Sequence, residues 1–380
     1  MSATSVLPQS GPVVILGAGF AGLETAIHLR RRDPTASVQL VGPDPTLLYR
    51  PWVIHLVSRQ QELEEMHIPL PPLAQRHGFE LIQDRAIHLD MDRQRVELAS
   101  GRVLQFGQLV IAAGATADRD RVPGARSHAL FPCEVEDTLK MIHALDRAPK
   151  GRVAVLVGWE RIGPGIEFAA WIRRIHPEVQ LDLVDVQGLV RERLGGTAMR
   201  RLTRWIAGAG ARVHEDTAVH SVRPGGVEMD HLHLEADLIL LCSPLRGSEI
   251  GLGGELTDDL GFVPVQSTGE LSRHPGVFAH GDIASFGEGD VARTMVWARS
   301  RADALAGNVL ARRQGLSPSG ELAPRGPRNM LPDLGGRTLW VRDRRLIASG
   351  RWPLRLRRLA DLSYLSARGA GTTLGPKPEG

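Results

Sequence analysis

The stretch Val13-Val14-Ile15-Leu16-Gly17-Ala18-Gly19-Phe20-Ala21-Gly22 determines the fold that the sequence predicts. Its first four residues are apolar and run directly into a glycine, which is typical of a buried parallel strand that enters a tight turn. A helix is expected from about Ala21 to Arg32, where basic residues suit the negative end of a helix. Val38 to Val41 then forms a second strand, which a right-handed crossover places parallel to the first. The stretch therefore predicts a strand, turn, helix and strand unit of the mononucleotide-binding type.

The three glycines of this turn suit three different tasks in binding a dinucleotide. Gly17 permits the tight turn, Gly19 lets the backbone approach a pyrophosphate, and Gly22 lets the helix pack close to the strand. The helix that Phe20 and Ala21 open then presents free N–H groups and partial positive charge to the phosphates. A purely structural turn is the alternative reading of the pattern.

The end of the second strand departs from the usual pattern. An acidic residue there normally accepts the ribose hydroxyls, whereas this chain has Gly42. Asp44 lies two residues later and takes this role if the chain bends back at Pro43 and Pro45. A solvated aspartate in a turn is the alternative.

A second unit of the same kind follows later in the chain, with a strand at Val153 to Val157, a helix at Ile166 to Ile175 and a strand at Leu181 to Val184. The predicted fold class is therefore α/β, with two Rossmann-like dinucleotide-binding domains and a small C-terminal unit. Leu238 to Leu241 and Val277 to Ala279 are predicted to be strands that return to the first sheet. The predicted domains are residues 1–117 with 242–312, an inserted second domain at 118–241, and the C-terminal unit at 313–380.

Composition limits the classes of protein and site. The apolar fraction is 42%, and no stretch approaches the roughly 18 consecutive apolar residues of a membrane span. Met1 to Gly11 lacks the pattern of a secretory signal, so we expect the mature protein to begin near residue 1 and to be cytoplasmic. Cys133 and Cys242 belong to no C-x-x-C pair and no cluster with metal-ligand spacing, which argues against structural disulfides and a metal site.

Three motifs together carry a resemblance to a known family. They are the glycine turn, Ala112-Ala113-Gly114-Ala115, and Gly276-Val277-Phe278-Ala279-His280-Gly281-Asp282. With them the chain resembles the pyridine nucleotide-disulfide oxidoreductase superfamily over residues 12–312, which implies FAD as the cofactor, with Ala113 and Gly114 among its contacts. The resemblance implies that Asp282, beside the closely approaching Gly281, hydrogen-bonds the ribityl chain of the flavin. It also implies a helix from near Arg293 whose positive end points at the flavin. A cap or turn residue is the alternative role of Asp282.

The cysteine pattern separates the branches of this superfamily. The redox-active cysteine pair of the disulfide reductases is absent, so dithiol chemistry is excluded. The chain looks most similar to type II NADH dehydrogenases and to sulfide:quinone oxidoreductase-like flavoproteins. Leu48-Tyr49-Arg50-Pro51 stands where those proteins run a loop near the flavin, so Arg50 and Pro51 are predicted cofactor contacts. Sulfide oxidation in that group uses a cysteine near the later helix, which has no match here, so sulfide is the less favoured donor.

The second glycine turn is altered. In Gly158-Trp159-Glu160-Arg161-Ile162-Gly163-Pro164-Gly165-Ile166-Glu167, a glutamate occupies the middle glycine position and two residues are added. The carboxylate of Glu160 would repel a pyrophosphate, and its Cβ would block the backbone. Gly163 and Gly165 offer a shifted turn instead, with Glu167 at the position of the family's glutamate near the nicotinamide. NAD(P)H binding therefore stays open.

The C-terminal region is basic. Trp352, Leu356 and Leu359 fall on one face of a predicted helix among several arginines. This pattern predicts a helix that lies on a membrane surface through residues 351–366, with a peripheral location on the inner face of the membrane. A dimer or domain contact is the alternative, and a homodimer stays open. Nucleic acid is not an expected partner, because no recognition fold accompanies the arginines.

These features predict an FAD-dependent oxidoreductase that passes electrons from a small-molecule reductant, with NAD(P)H as one candidate, through the flavin to a quinone-like acceptor. One alternative is an FAD enzyme that acts directly on a small organic substrate. Another is a flavin-binding protein without turnover. The sequence assigns no catalytic acid or base, since the cofactor carries the redox chemistry.

Overall fold

The structure is a computed structural model that describes residues 11–158, 162–207, 211–230, 232–242, 244–249, 255–287, 293–323 and 329–370. The chain divides into two compact units, each assembled from separated stretches. The first unit comprises Met1–Leu48, Ile68–Thr116 and Arg246–Arg325, and the second comprises Tyr49–His67, Ala117–Leu245 and Gly326–Gly380. Each unit contains a mainly parallel sheet, so the predicted α/β class is confirmed. The predicted domain limits and the cofactor assigned to each domain stay predictions.

A six-stranded sheet forms the centre of the first unit. In spatial order its strands are Glu270–Leu271, His274–Ala279, Gln108–Ile111, Val13–Leu16, Val38–Gly42 and Glu80–Gln83. All neighbours are parallel except Glu270–Leu271, which pairs antiparallel with the next strand. The chain leaves the fully buried strand Val13–Leu16 toward one neighbour and returns later on its other side. The strand order therefore reverses at the carboxyl end of this strand, where open α/β sheets form a crevice.

Three helices and a small sheet complete the first unit. The helices are Phe20–Arg32, Leu70–His77 and Met295–Arg313. Arg32 on the first helix donates two hydrogen bonds, of 2.8 and 2.7 Å, to Asp303 on the last. The small antiparallel sheet contains Ala86–Asp90, Arg95–Leu98 and Val103–Gln105, and its apolar face joins the core beneath the central strand. Val263–Pro264 pairs with Ala284–Ser285.

The second unit is built on a four-stranded parallel sheet. Its strands, in spatial order, are Arg212–Thr217, Gln180–Val186, Arg152–Val157 and Leu238–Cys242. Val219–Arg223, Gly226–Met229 and His233–Glu235 form a second, antiparallel sheet. The helices of the unit are Ile54–Val57, Ala125–His128, Val135–Arg147, Ile162–Ile175, Leu189–Leu194, Gly196–Ala207 and Arg351–Ala367. The short strands Thr46–Leu48, His67–Pro69, Ala115–Ala117 and Leu245–Gly247 lie near the limits of the units.

One strand was assigned to the wrong sheet. Leu238–Cys242 pairs with Arg152–Val157 in the second unit, with Val153 opposite Leu238, and does not return to the first sheet. A strand that is apolar on both faces carries no pattern that selects between two buried sheets. The prediction for Val277 to Ala279 is confirmed, because this strand lies beside Gln108–Ile111 in the first sheet.

The C-terminal part of the second unit is a hairpin followed by a helix. Thr338–Arg342 pairs antiparallel with Arg345–Gly350, and Asn329–Met330 adds a third strand. Asp343 and Arg344 both adopt left-handed backbone conformations, with φ of 45° and 66°. Such a two-residue turn matches the twist of the strands that it joins.

A buried polar network holds the helix Arg351–Ala367 in place. The hydroxyl group of Tyr49 donates a 2.7 Å hydrogen bond to Asp361, and the ring of Tyr49 stacks on Tyr364 with 5.8 Å between centroids. Arg357 donates to the carbonyl oxygen of Leu331 at 2.7 Å and to the carboxylate of Glu167. These partners compensate for the loss of water around buried charges, which would otherwise cost several kcal/mol each.

His55 gives this network a measurable dependence on pH. Its ring is 7% exposed and lies between Trp52 and Trp171, with centroid distances of 6.2 and 6.4 Å. Burial, helped by the charges of Arg357 and Arg358, lowers the pKa of His55 from 6.5 to about 3. Between these values the unfolded chain binds a proton at this residue and the folded chain does not. The contribution of His55 to stability is therefore complete above pH 6.5 and falls by about 1.4 kcal/mol per pH unit below it.

We expect His55→Leu to remove this contribution, so that the free energy of unfolding decreases less steeply from pH 6 to 4 than in the unsubstituted protein. Urea unfolding followed by tryptophan fluorescence at several pH values measures the slope. His143→Leu, at an exposed position of the same unit, is the matched control and should keep the original slope. Equal slopes in the protein and the His55 variant would contradict the account.

Candidate cofactor-binding site

The glycine turn lies at the carboxyl end of the central strand of the first unit. Gly17 has a φ of +111°, which favours glycine, and a Cβ at this residue would overlap the carbonyl group of Ala112. The N–H of Gly17 donates a 2.8 Å hydrogen bond to Val41 on the neighbouring strand. A Cβ on Gly22 would overlap the carbonyl oxygen of Gly17. Both glycines are therefore required by backbone contacts within the turn itself.

Gly19 differs from its two neighbours in the motif. It is the N-cap of the helix Phe20–Arg32, with φ of −74° and ψ of −171°. As a glycine it has no side chain to make a capping hydrogen bond. A Cβ added to Gly19 would meet no atom of the described residues within 4 Å. Packing of the described residues therefore does not require a glycine at this position. The positive end of a 13-residue helix lies next to it. Such a helix terminus suits a phosphate group.

A cavity of about 500 Å³ lies at this edge of the sheet. It is lined by Leu16, Gly17, Val41, Gly42, Pro43, Asp84, Arg85, Ala86, Ala113, Thr116, Arg246, Gly247, Ser248 and Glu249. Most of these residues lie at the carboxyl ends of four neighbouring parallel strands, as expected for a ligand site at a point where the strand order reverses. The volume lies within the range of small-molecule sites, about 300 to 1,000 Å³.

The last of the three sequence motifs reaches the start of the first helix. Gly281 begins a short 3-10 helix, Gly281–Ile283, directly after the strand His274–Ala279. Its φ is +76°, and a Cβ there would lie 2.6 Å from the Cβ of Ala21. Asp282 is half-buried, and its carbonyl oxygen accepts a 2.9 Å hydrogen bond from Arg293. The structure thus brings Gly281 and Ala21 together, although 260 positions separate them in the sequence.

The middle motif lies at the same edge of the sheet. Ala113 lines the cavity, and Gly114 follows it with a φ of +76°. The carbonyl oxygen of Gly114 accepts a 3.2 Å hydrogen bond from the N–H of Ser248, which also lines the cavity. Ala113 and Gly114 therefore connect the central sheet to the opposite wall of the cavity.

Three other predicted cofactor contacts are not part of the cavity lining. Asp44 is exposed and is not among the residues that line the cavity. Arg50 and Pro51 belong to the second unit, where they begin the 3-10 helix Arg50–Trp52, and Arg50 faces Glu134 at 3.4 Å. The roles of these three residues in holding the cofactor stay predictions.

The helix after the last motif begins close to its predicted start. Met295–Arg313 is capped by Thr294, whose hydroxyl accepts a 3.2 Å hydrogen bond from the N–H of Trp297. His280 is fully buried, and its Nε2–H donates to the carbonyl oxygen of Ala298 at 2.8 Å. Burial lowers the pKa of His280 to about 4. The ring is therefore neutral at neutral pH, and no described residue bonds its Nδ1.

Four charged residues of the cavity wall were not predicted: Asp84, Arg85, Arg246 and Glu249. The carboxylate of Asp84 accepts hydrogen bonds from Ser100 and from the N–H of Arg85, and these bonds lower its pKa. Asp84 follows the strand Glu80–Gln83, so the rule that ligands bind at carboxyl ends of strands is a signal that could have found it. Arg246 lies in no motif, and its Nε is buried without a partner among the described residues.

The altered turn of the second unit resembles the first only in part. The helix begins at Ile162, so Gly163 and Gly165 both lie in its first turn. A Cβ on Gly165 would lie 2.6 Å from a methyl group of Val157, which is the close contact between helix and strand that the third glycine normally permits. Gly163 has open space around its Cβ position among the described atoms. Glu160 lies outside the described residues.

Two carboxylates near this turn already accept hydrogen bonds from other residues of the protein. Glu167 is buried and accepts hydrogen bonds from Arg357 and, at 2.6 Å, from the N–H of Asp333. Burial raises the pKa of Glu167, and the guanidinium of Arg357 opposes that rise. Asp185, near the end of the second strand, accepts hydrogen bonds from the N–H groups of Val190 and Arg191 at 2.7 and 3.1 Å. Burial raises its pKa as well.

The fold and the cavity define an α/β oxidoreductase with a dinucleotide cradle. More particularly, residues 11–304 match the family described as pyridine nucleotide-disulphide oxidoreductase, and the chain belongs to this family. Members of this family are FAD-binding enzymes that use NAD(P)H. The predicted family and cofactor class are thereby confirmed. FAD also fits the residues present, because Gly19 leaves space among the described residues at the positive end of the helix Phe20–Arg32, which suits a phosphate group.

Known relatives are distant in sequence. The chain is 29% identical to the sulfide-quinone reductase of Aquifex aeolicus over 161 residues, which are 41% of this chain and 37% of that protein. It is 23% identical over 291 residues to an NADH dehydrogenase-like protein of Mycobacterium tuberculosis, covering 72% of each chain. The solved structure of the Aquifex aeolicus sulfide:quinone oxidoreductase superposes with a TM-score of 0.83 at 21% identity, over 97% of this chain and 93% of that one. That superposition shows a shared fold.

The variant Gly19→Ala tests whether the first glycine turn binds the cofactor or is only a structural turn. Because no described atom lies near its Cβ position, we expect the stability of the FAD-free protein to change by less than about 0.5 kcal/mol. FAD affinity should fall by about tenfold or more, since the methyl group keeps the pyrophosphate from the backbone. Titration of the apoprotein with FAD, followed by flavin fluorescence, measures this change.

Gly163→Ala is the matched control, because it places a methyl group in open space at the corresponding turn of the second unit. It should leave FAD affinity unchanged. Unaltered FAD binding in the Gly19 variant would show that the first turn does not hold the pyrophosphate.

Proposed function

We propose that this protein is an FAD-dependent oxidoreductase that passes two electrons from a reductant to a quinone-like acceptor. The observation that carries the proposal is the convergence of Gly17, Ala113 and Gly281 around the carboxyl end of one sheet in a member of this family. The quinone-like acceptor is supported by a relative that is named a sulfide-quinone reductase.

The protein's own groups would hold and orient the cofactor. FAD, when bound, supplies the two-electron chemistry, and the chain contributes position and electrostatics. Gly17 and Gly19 would hold the pyrophosphate at the first helix, while Gly281 and Asp282 would hold the ribityl chain. The helix Met295–Arg313 begins 13 residues after Asp282, and its positive end favours negative charge on a reduced flavin. The buried ring of His280 is neutral and adds no charge of its own at this end of the helix.

NAD(P)H is the first candidate donor. The close packing of Gly165 on Val157 places the start of this helix beside the strand, as a phosphate-binding turn requires. Against this, Glu167 is already bound to Arg357 and Asp185 already caps a helix. If NAD(P)H binds, it must therefore be held mainly by the backbone around Gly163, without those carboxylates.

Sulfide is a second candidate donor, favoured by the likeness to the sulfide:quinone oxidoreductase fold over 97% of this chain. The chain contains two cysteines, of which Cys133 is half-buried and Cys242 is 1% exposed, and both are thiols. A buried thiol with no access to solvent reacts poorly with a small anion. Cys133 is therefore the residue that a sulfide reaction would use.

A peripheral membrane location would bring a quinone within reach. The helix Arg351–Ala367 carries Trp352, Leu356 and Leu359 with exposures of 55%, 47% and 62%. Among the described residues, no helix is both long and apolar enough to span a bilayer. We propose that this face lies in the membrane interface, as amphipathic surface helices do. Sedimentation with anionic vesicles measures the association, and equal binding by a Leu356→Gln, Leu359→Gln variant would overturn it.

Anaerobic stopped-flow mixing distinguishes the donors. The loss of the flavin's visible absorbance is followed after mixing with NADH, NADPH or sulfide, and reoxidation is followed with a soluble quinone. We expect rapid reduction by one donor and reoxidation by the quinone. If sulfide is the donor, Cys133→Ser should abolish reduction by it while reduction by dithionite remains.

The buried Cys242 provides the control, because Cys242→Ala should leave the rates unchanged. Reduction by none of the three donors, with dithionite still effective, would contradict the proposed function and favour a flavin-binding protein without turnover.

A further inference from the structure

A second cavity, in the second unit, is lined mainly by arginine side chains. Its volume is about 160 Å³, roughly a third of that of the dinucleotide cavity. The lining residues are Gln60, Arg174, Gly336, Arg351, Leu354, Arg355 and Arg358. Four guanidinium groups thus surround a space that admits a small group but not a dinucleotide.

These arginines come from two helices of the second unit. Arg351, Arg355 and Arg358 lie on one face of the helix Arg351–Ala367, at spacings of four and three residues. Arg174 comes from the helix Ile162–Ile175, and its guanidinium donates to the carbonyl oxygen of Gly335. Gly336 has a φ of +87°, and a Cβ there would lie 2.5 Å from Nη1 of Arg174. A glycine at this position therefore makes room for the guanidinium of Arg174.

The described residues that line this cavity carry a net positive charge. No carboxylate is among the lining residues. Asp333 compensates Arg358 at 3.4 Å, and its side chain is 1% exposed. Arg351 and Arg355 form no ion pair with any residue that the structure describes. Because like charges held close together repel, an anion in the cavity would be strongly favoured.

We propose that this cavity binds a phosphate group. Arginine forks pair with the oxygen atoms of phosphate in bidentate fashion, and a doubly charged anion compensates several guanidinium groups at once. The amide of Gln60 adds a neutral donor at the rim. A monocarboxylate would satisfy fewer of these donors and carry half of the charge.

The phosphate group belongs either to a lipid headgroup or to a soluble phosphate compound. Each cavity arginine of the helix precedes an exposed apolar residue: Arg351 precedes Trp352, Arg355 precedes Leu356, and Arg358 precedes Leu359. The apolar stripe therefore runs beside the cavity along the same helix. A phospholipid would place its headgroup among the arginines and its acyl region beside the stripe.

The test uses the full-length protein and measures binding rather than turnover, so its result does not depend on the identity of the electron donor. Inorganic phosphate is titrated by calorimetry at constant ionic strength. Vesicles of phosphatidylcholine, with and without phosphatidic acid, are then offered in a sedimentation assay. We expect Arg351→Gln with Arg355→Gln to weaken phosphate binding at least about tenfold, because two charged hydrogen-bond donors are lost.

The control carries the same change of charge elsewhere in the unit. Arg342→Gln with Arg345→Gln removes two exposed arginines of the hairpin, and it should keep the affinity for phosphate. Phosphate binding that is lost only in the cavity variant supports the site. Vesicle binding that requires phosphatidic acid and is displaced by phosphate identifies the lipid as the source, whereas phosphate binding without vesicle binding identifies a soluble compound.

Two results would overturn the proposal. One is the failure of both phosphate and phosphatidic acid vesicles to bind the unsubstituted protein. The other is an equal loss of affinity in the cavity variant and in the hairpin control, which would indicate a general effect of charge. The Leu356→Gln, Leu359→Gln variant separates this site from the apolar stripe, since it should lose vesicles and retain inorganic phosphate.

Discussion

The first unit depends on close backbone contact around the glycine turn. Gly17 lies against the carbonyl group of Ala112, Gly22 lies against Gly17, and Gly281 lies against Ala21. None of these positions accepts a Cβ without displacing its neighbour, so three distant segments of the chain are fixed relative to one another. Among the described residues, none lies within 4 Å of a Cβ added at Gly19, the N-cap of the helix Phe20–Arg32, so packing leaves space there. A rigid turn next to an uncovered helix terminus is what a dinucleotide pyrophosphate requires.

The second unit has the same parallel architecture but uses its polar groups differently. The close packing of Gly165 against Val157 joins helix to strand in this unit. Its carboxylates serve the protein itself, because Glu167 binds Arg357 and Asp361 accepts from Tyr49. These contacts attach the C-terminal helix, and burying such charges is tolerable only because they are paired. One face of that helix is thereby committed to the core, and another remains exposed with its arginines and its apolar stripe.

Sequence patterns predicted the features that arise from local rules. The strand, turn and helix from Val13 to Arg32 follow from apolar runs and glycine chemistry. The sheet that receives Leu238–Cys242 could not be predicted, because a strand buried on both faces fits either sheet. The arginine-lined cavity could not be predicted either, because it brings together residues as distant in the sequence as Gln60 and Arg358. Arg246 reaches the dinucleotide cavity in the same way, without any motif around it.

The binding of FAD by the first unit is tested by the cofactor content of the purified protein. Protein produced with an ample supply of riboflavin is denatured, and the released cofactor is identified by chromatography and counted against the number of chains. The account predicts FAD, at about one molecule per chain, since one turn of the two retains the complete glycine pattern. A colourless protein that releases no flavin, and does not take up FAD when it is added, would contradict it.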